Sequence, residues 1–492
     1  MLELTGYHCW LPGGAHAVDD LSLTATPGTI TALVGRSGCG AASLVTSLSG
    51  HLPPGSRVTG SAMLTGRRID GATPDELAGR VMWISDTALP GSTVADCLRI
   101  LTGDLSALDN LGIADAAERR LSSLPVDLRL RLHCASLAAT TAAPDLILVD
   151  RVLGAADAPT RSRFCALLRQ RAAAGATVVW AEHDLDAVWE HADTLVELDG
   201  GRFAWSGRPD RWRPRTLPEP TLLTLARALG VPPAHCRTPL DTRAALEHAG
   251  LQLPPFPLRL ADRVAPRGAG SVIEAESVGM TGPAIEIRPG ECLGIIDVEA
   301  RPEPLARQLI AELPAGDVVP SQPPPTLRLG PATRAWERRH HLGVGSVMSQ
   351  LPSLQPRDLL IDLSPGDLAR LRQALAADPA TPLWLPHPQA GLDPRERHAL
   401  AENLRRHPAG TRLVTSRDIE FLVRACHRLI VVSGNSVIGD GSPSAIVHLL
   451  PTRPLISRAV DSTRYLRLTD VLATTDELSV PDVLTVDEQV FA

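Results

Sequence analysis

Apolar residues recur along this chain in short unbroken runs. "TITALV" (29–34), "LILVD" (146–150) and "ATVVWA" (176–181) are of this kind, and helix-like segments lie between them. A strand that is apolar on both faces belongs inside a sheet covered by helices, so the pattern predicts parallel α/β architecture. "SLTATPGTITALVG" (22–35) reads as a strand, a PG turn and a second, buried strand.

The same pattern occurs a second time. "IEIRPGECLGIID" (285–297) answers residues 22–35, and "TPLWLPHPQAGLD" (381–393) answers "PDLILVDRVLGAAD" (144–157). "TRLVTSRDIEFLVRACHRLIVVSGNS" (411–436) answers "ATVVWAEHDLDAVWEHADTLVELDGGR" (176–202). Three matched blocks in one order predict a duplicated domain. The expected divisions are residues 1–212, a first α/β domain; 213–269, a Pro-rich and partly helical linker; 270–450, a second α/β domain; and 451–492, a tail. "TLLTLARALG" (221–230) makes the linker structured, and "YLRLTDVLATTDEL" (465–478) reads as a docking helix.

Composition narrows the function classes. At 492 residues the chain exceeds one ordinary domain. A net charge of -7 gives no general reason to expect nucleic acid. The basic residues, 48 in all, are Arg throughout, and Pro (43) and Gly (39) are abundant. This bias favours Arg over Lys at exposed sites. Cys9, Cys39, Cys97, Cys134, Cys165, Cys236, Cys292 and Cys426 are scattered without CxxC spacing. Neither zinc nor a disulfide framework is therefore expected, and the thiols read as reduced and cytosolic. "MLELTGYHCW" lacks the basic start and apolar core of a signal peptide, and no apolar run approaches the ~20 residues of a membrane span. Any membrane role is expected to come through a partner.

The candidate chemistry centres on "GRSGCGAAS" (35–43), placed between a strand and a helix. Backbone N–H groups of Gly35, Arg36, Ser37, Gly38, Cys39 and Gly40, with the helix start at Ala41, Ala42 and Ser43, suit phosphate oxygens. A phosphate-binding loop places Lys and then Ser or Thr after its last glycine. Here Ala41 and Ala42 stand there. Ser43 is one step on, about 100° round the helix, and does not replace the lost hydroxyl. The missing Lys forfeits a charge-assisted bond of about 1.5–3 kcal/mol.

Taken together, the loop, the strand ending in Asp150, the "AEHD" segment and the "LDGGR" turn resemble the ATP-binding cassette ATPases of transporters. "AGRVMWIS", "STVADCL" and "LRLTDVLA" narrow the resemblance to the fused two-cassette ATPases of energy-coupling factor importers. "LPPGSRVTGSAMLTGRRIDG" (52–71) makes the peptide and nickel importer ATPases the rival. The resemblance implies two tandem P-loop NTPase domains, each a mostly parallel sheet with helices and a small helical subdomain. It implies ATP and Mg²⁺ as cofactors, cassettes pairing within the chain, and an integral membrane transporter subunit as partner. The location implied is peripheral, on the cytoplasmic face of the cell membrane.

Residue by residue, the resemblance makes Asp150 the metal ligand, His183 the switch histidine on the γ-phosphate and Asp157 a nucleotide-site residue. Trp10 or Tyr7 would stack on adenine, and Ser364 and Gly366 of "LSPGD" would serve as signature residues of the facing cassette. It also exposes departures. The water-directing Glu is Arg151, which cannot accept a proton. The Gln that links metal to the membrane partner falls near Asp86. In the second half Glu303 lies near the Lys position, Pro386 and His387 replace the Asp–Glu pair, and Arg417 replaces the switch histidine. The signature facing the second site, "LPVDL" (124–128), contains no Gly.

Simpler roles compete at several positions. Asp150 can pair with Arg151, Trp180 and Trp189 read as core, and "ERRHHL" (337–342) reads as a solvated face. Three functions stay open: a slow transport ATPase using the first site, a non-hydrolysing coupling subunit, and a soluble nucleotide-binding regulator.

Overall fold

The computed structural model describes the chain except residues 86–88, 104, 106–107, 109–112, 122–123, 125, 140–143, 155, 215–216, 252, 255–269, 299–302, 320–326, 353, 359, 361–362, 364, 377–380, 407–409 and 476–492. It divides into two compact units, Met1–Glu219 and Pro220–Ala492.

The first unit opens with an antiparallel sheet of β1 (Leu2–Trp10), β2 (His16–Ala25), β4 (Arg57–Leu64) and β5 (Arg67–Arg68), in the order β2-β1-β4-β5. Its central sheet contains β3 (Ile30–Val34), β6 (Val81–Ser85), β7 (Leu146–Asp150), β8 (Thr177–Ala181), β9 (Thr194–Asp199) and β10 (Arg202–Gly207). The order is β10-β9-β3-β8-β7-β6, parallel except for the edge strand β10. β3 and β8 are buried along their full length, as their unbroken apolar sequences require. One face packs on helix Ala41–Leu48 and the antiparallel sheet. The other packs on helices Val126–Ala139 and Ala158–Ala173. Val94, Cys97, Leu98, Leu124 and Leu132 form a separate small helical core. Trp180 and Trp189 are fully buried.

The second unit contains the pair β11 (Ser271–Ile273) and β12 (Ile285–Ile287). Its larger sheet is built of β13 (Cys292–Asp297), β14 (Asp317–Val318), β15 (Leu383–Pro386), β16 (Arg412–Thr415), β17 (Arg428–Ser433) and β18 (Ser436–Gly441). The order is β14-β15-β16-β13-β17-β18, again parallel except for the last strand. Read from β18, this is the order and direction of the first unit's central sheet.

The stretch after Glu219 is structured. Helices Thr221–Ala228 and Pro239–His248 pack against helices Leu468–Thr475 and Leu455–Ala459 from the end of the chain. Tyr465 is buried at this junction, and its hydroxyl donates to the Pro254 carbonyl at 2.9 Å. These helices fall within the segments read from sequence as linker and tail. Among the described residues no helix is long and apolar enough to cross a membrane.

A buried carboxylate sits where β8 ends. Glu182 receives the backbone N–H groups of His183 at 2.8 Å and Asp184 at 3.3 Å. Burial, reinforced by the Asp184 charge, pushes its carboxyl up to about 7 despite those two donors.

Two outcomes follow from this packing. Tyr465→Ala will lower the stability of the second unit by about 3 kcal/mol or more, and Tyr465→Phe by about 1 kcal/mol, as read by urea unfolding of the full chain. Unchanged unfolding of Tyr465→Ala would show the junction to be loose. Folded Glu182 holds its proton to higher pH than the unfolded chain does, so its linkage term falls as pH rises from about 4.5 to about 7. Relative to Glu182→Gln, the wild-type chain therefore loses up to about 3 kcal/mol between pH 4 and pH 8. Parallel stability profiles of the two proteins would refute the assignment.

Candidate functional site

The strands of a parallel sheet all end on one side, where the Gly35–Gly40 loop follows β3, Asp150 ends β7 and His183 follows β8. Gly35 to Gly40 connects β3 to the helix Ala41–Leu48. A Cβ at Gly35 would lie 2.5 Å from Cys39 Sγ and from the Leu198 carbonyl. Gly40 has φ 95°, and a Cβ there would sit 2.1 Å from the Ala17 carbonyl. The Gly201 N–H donates to the Cys39 carbonyl at 3.0 Å, and the Asp19 N–H donates to the Gly201 carbonyl at 2.8 Å. The loop is therefore pinned between β2 and the β9–β10 turn. These two glycines are required by packing, whatever the loop binds.

The helix behind the loop starts without a side-chain cap. Its first N–H groups and partial positive charge face the position where a phosphate would lie. Arg36 and Gly38 are exposed and Ser37 is half-buried, whereas Cys39 and Ala41 belong to the apolar core. Ala42 and Ser43 are half-buried on the first turn. This cradle fits phosphate oxygens.

The donor set does not fit Mg²⁺. Ala42 offers no hydroxyl, and Asp150 at the end of β7 accepts the Arg151 Nε–H at 2.9 Å. Burial alone would lower the Arg151 pKa. The Asp150 charge, its bond and the Glu182 charge outweigh that and raise it above the ordinary value. The carboxylate that would hold metal is thus neutralised by the residue standing where a water-directing Glu would be.

Arg151 adopts a left-handed conformation, φ 47°, with its N–H on the Ala181 carbonyl at 2.9 Å. A non-glycine residue in this region is strained by about 1–3 kcal/mol, and such residues cluster at functional sites. The second unit repeats the feature at His387, which also has φ 47° and donates its N–H to the Thr415 carbonyl at 2.8 Å. Its Nε2 meets Glu303 Oε1 at 3.1 Å. Burial would raise the Glu303 carboxyl, but the bond and charge of His387 outweigh it and hold the pKa below the ordinary value. Sequence reading found both residues but missed their pairing. Neither Pro386 nor His387 offers a carboxylate for a metal.

His183 follows Glu182 at the end of β8, half-buried, with its N–H fixed by the Glu182 carboxylate. Asp157 caps the helix Ala158–Ala173 by accepting the Thr160 N–H at 2.7 Å, and it pairs with Arg131 at 3.1 Å. Asp184 caps the helix Leu185–His191 and pairs with Arg161. Asp418 caps the helix Ile419–Ala425 and pairs with Arg397, the same arrangement in the second unit. Sequence reading overlooked these Arg–Asp braces; the Asp before each short helix was the available signal.

Trp10 is half-buried at the end of β1. Its indole stacks on His16 at 4.5 Å between centroids, and the Arg57 guanidinium lies 5.1 Å over the ring. Tyr7 is fully buried and donates its hydroxyl to Ser47 Oγ at 3.0 Å, which removes it as an adenine platform. Gly366 lies in the helix Pro365–Leu375 of the second unit. Ser364 and Asp86 lie outside the described residues.

A family model described as ABC transporter matches residues 18–150, a span that includes the loop and Asp150. The hemin import ATP-binding protein of Bradyrhizobium diazoefficiens is 32% identical over 214 residues, covering 40% of this chain and 78% of the relative. The aliphatic sulfonates import ATP-binding protein of Yersinia pestis is 32% identical over 212 residues, covering 41% and 74%. An archaeal ribosome recycling factor, solved in complex with a ribosomal stalk protein, matches 88% of this chain and 89% of its own. Its TM-score is 0.53 at 14% identity, a likeness of fold alone. The strand order, the glycine loop beneath an uncapped helix and the extent of these matches lead to one assignment: this chain belongs to the ABC transporter ATP-binding family.

Proposed function

We propose that this chain is a two-cassette ATP-binding subunit of an importer of the energy-coupling factor type, docked on the cytoplasmic face of the membrane, which couples without hydrolysing ATP. The observation that carries the loss of hydrolysis is the Asp150–Arg151 pair. It removes a metal ligand and a water-directing base together, and loss of a general base alone costs about 10²–10⁴-fold in rate. In the second cassette an acidic Glu303 lies near the Lys position, and His387 stands in place of the Glu and meets it at 3.1 Å. The common strand order of the two sheets, the left-handed Arg151 and His387, and the two Arg–Asp braces support descent of the halves by duplication.

In this reading the domains are residues 1–212 and 270–450, with 213–269 and 451–492 as linker and tail. The Gly35–Ser43 backbone holds phosphate, Trp10 meets the base, and His183 and Asp157 complete the first site. Ser364 and Gly366 serve it from the other cassette. The partner is a polytopic membrane subunit that docks near Asp86, and the cargo is a vitamin or a transition-metal ion. The relatives' names, which describe ATP-binding proteins of import systems, support the importer assignment.

The purified chain is expected to show no ATP turnover, and Ala41→Lys with Arg151→Glu to introduce Mg²⁺-dependent turnover. Turnover by the unmodified chain would replace this reading with that of a slow transport ATPase. Calorimetry is expected to give ATP affinities that agree within about threefold with and without Mg²⁺, because the site lacks a metal-binding donor set. Binding about tenfold tighter with Mg²⁺ would contradict the loss of the metal site.

A further inference from the structure

The hairpin of β1 and β2 carries His8, His16 and Asp19, a cluster that the proposed nucleotide site does not use. His8 and Trp10 lie two residues apart on β1 and so share one face of the sheet. His16 pairs directly with Trp10 across the ladder. The ladder is irregular between Tyr7 and Trp10, and Asp19 of β2 meets both imidazoles. His8 Nδ1 lies 3.3 Å from His16 Nε2 and 3.3 Å from Asp19 Oδ1, and His16 Nε2 lies 3.6 Å from Asp19 Oδ1.

We propose that His8 Nδ1, His16 Nε2 and Asp19 Oδ1 form a binding site for a divalent transition metal of the zinc class. A tetrahedral ion with bonds of about 2.0–2.2 Å holds its ligand atoms about 3.3–3.6 Å apart, which is the spacing of this triangle. Two imidazoles and one carboxylate select zinc, cobalt or nickel over Mg²⁺ and Ca²⁺, which prefer oxygen ligands. The fourth position is left for water or another donor.

The surroundings orient the ligands. Asp19 Oδ2 accepts the Arg202 Nε–H at 2.7 Å, which turns Oδ1 toward the histidines. The Asp20 N–H donates to His8 Nδ1 at 3.2 Å, so that nitrogen is the unprotonated one, as a metal ligand must be. The metal replaces that weak donor. Trp10 stacks on His16 at 4.5 Å and on His8 at 5.4 Å between centroids, fixing both ring planes. Outer partners of this kind change metal affinity by about 10–100-fold. The site contains no thiol, which is why cysteine spacing gave no sign of it.

The test is titration of the purified full chain with Co²⁺, followed by calorimetry and visible absorption, then displacement with Zn²⁺. One Co²⁺ per chain is expected, with the absorption of a four-coordinate ion and no competition from Mg²⁺. His16→Ala and Asp19→Asn are each expected to weaken binding by about tenfold or more, and Arg202→Ala by about tenfold. His448→Ala, at an exposed histidine of the second unit, is expected to leave it unchanged. His16 is exposed, and matching unfolding curves for its variant exclude a folding defect. The absence of stoichiometric binding, a six-coordinate spectrum, or equal affinity in His16→Ala and Asp19→Asn would overturn the proposal.

Discussion

The first unit depends on a close approach of backbone to backbone. β3 must turn into a helix while the turn lies under the Ala17 carbonyl and beside that of Leu198, and only glycine fits at residues 40 and 35. This contact joins the antiparallel sheet, the central sheet and the β9–β10 turn. The loop ahead of Ala41 and Ala42 therefore has a packing role of its own. Packing maintains its shape independently of phosphate chemistry.

A second constraint acts at the strand ends. The parallel ladder brings β7 and β8 together so that Arg151 bonds back to Ala181 and its guanidinium reaches Asp150. In the other unit the same ladder places His387 beside Glu303. In each pair the acidic side chain is already engaged, Asp150 by Arg151 and Glu303 by His387.

Much of the fold was legible in the chain. The apolar runs predicted the buried strands and the mostly parallel α/β sheets. The candidate site was legible in part. The loop, Asp150, Arg151, Glu303 and His387 could be found by position, and adjacency made an Asp150–Arg151 pair one of the expected roles, but nothing local indicated that Glu303 would meet His387. Tyr7 and Trp10 looked equivalent as aromatic platforms; the strand register turns Tyr7 inward and Trp10 outward. Helices Thr221–Ala228 and Pro239–His248 meet Leu455–Ala459 and Leu468–Thr475 from far along the chain, a packing that local sequence does not show.

The sequence by itself determined what depends on neighbours along the chain: strand and helix periodicity, the glycines of the turn, and the loss of Lys, hydroxyl and Glu at specific positions. The tertiary structure decided what depends on neighbours in space. It paired Glu303 with His387 across 84 residues, buried Glu182, and placed His8, His16 and Asp19 around one point. The physical reason is range. Backbone propensity and amphipathic period act over a few residues, whereas charge pairing and desolvation are set by whichever groups the folded sheets bring within a few ångströms.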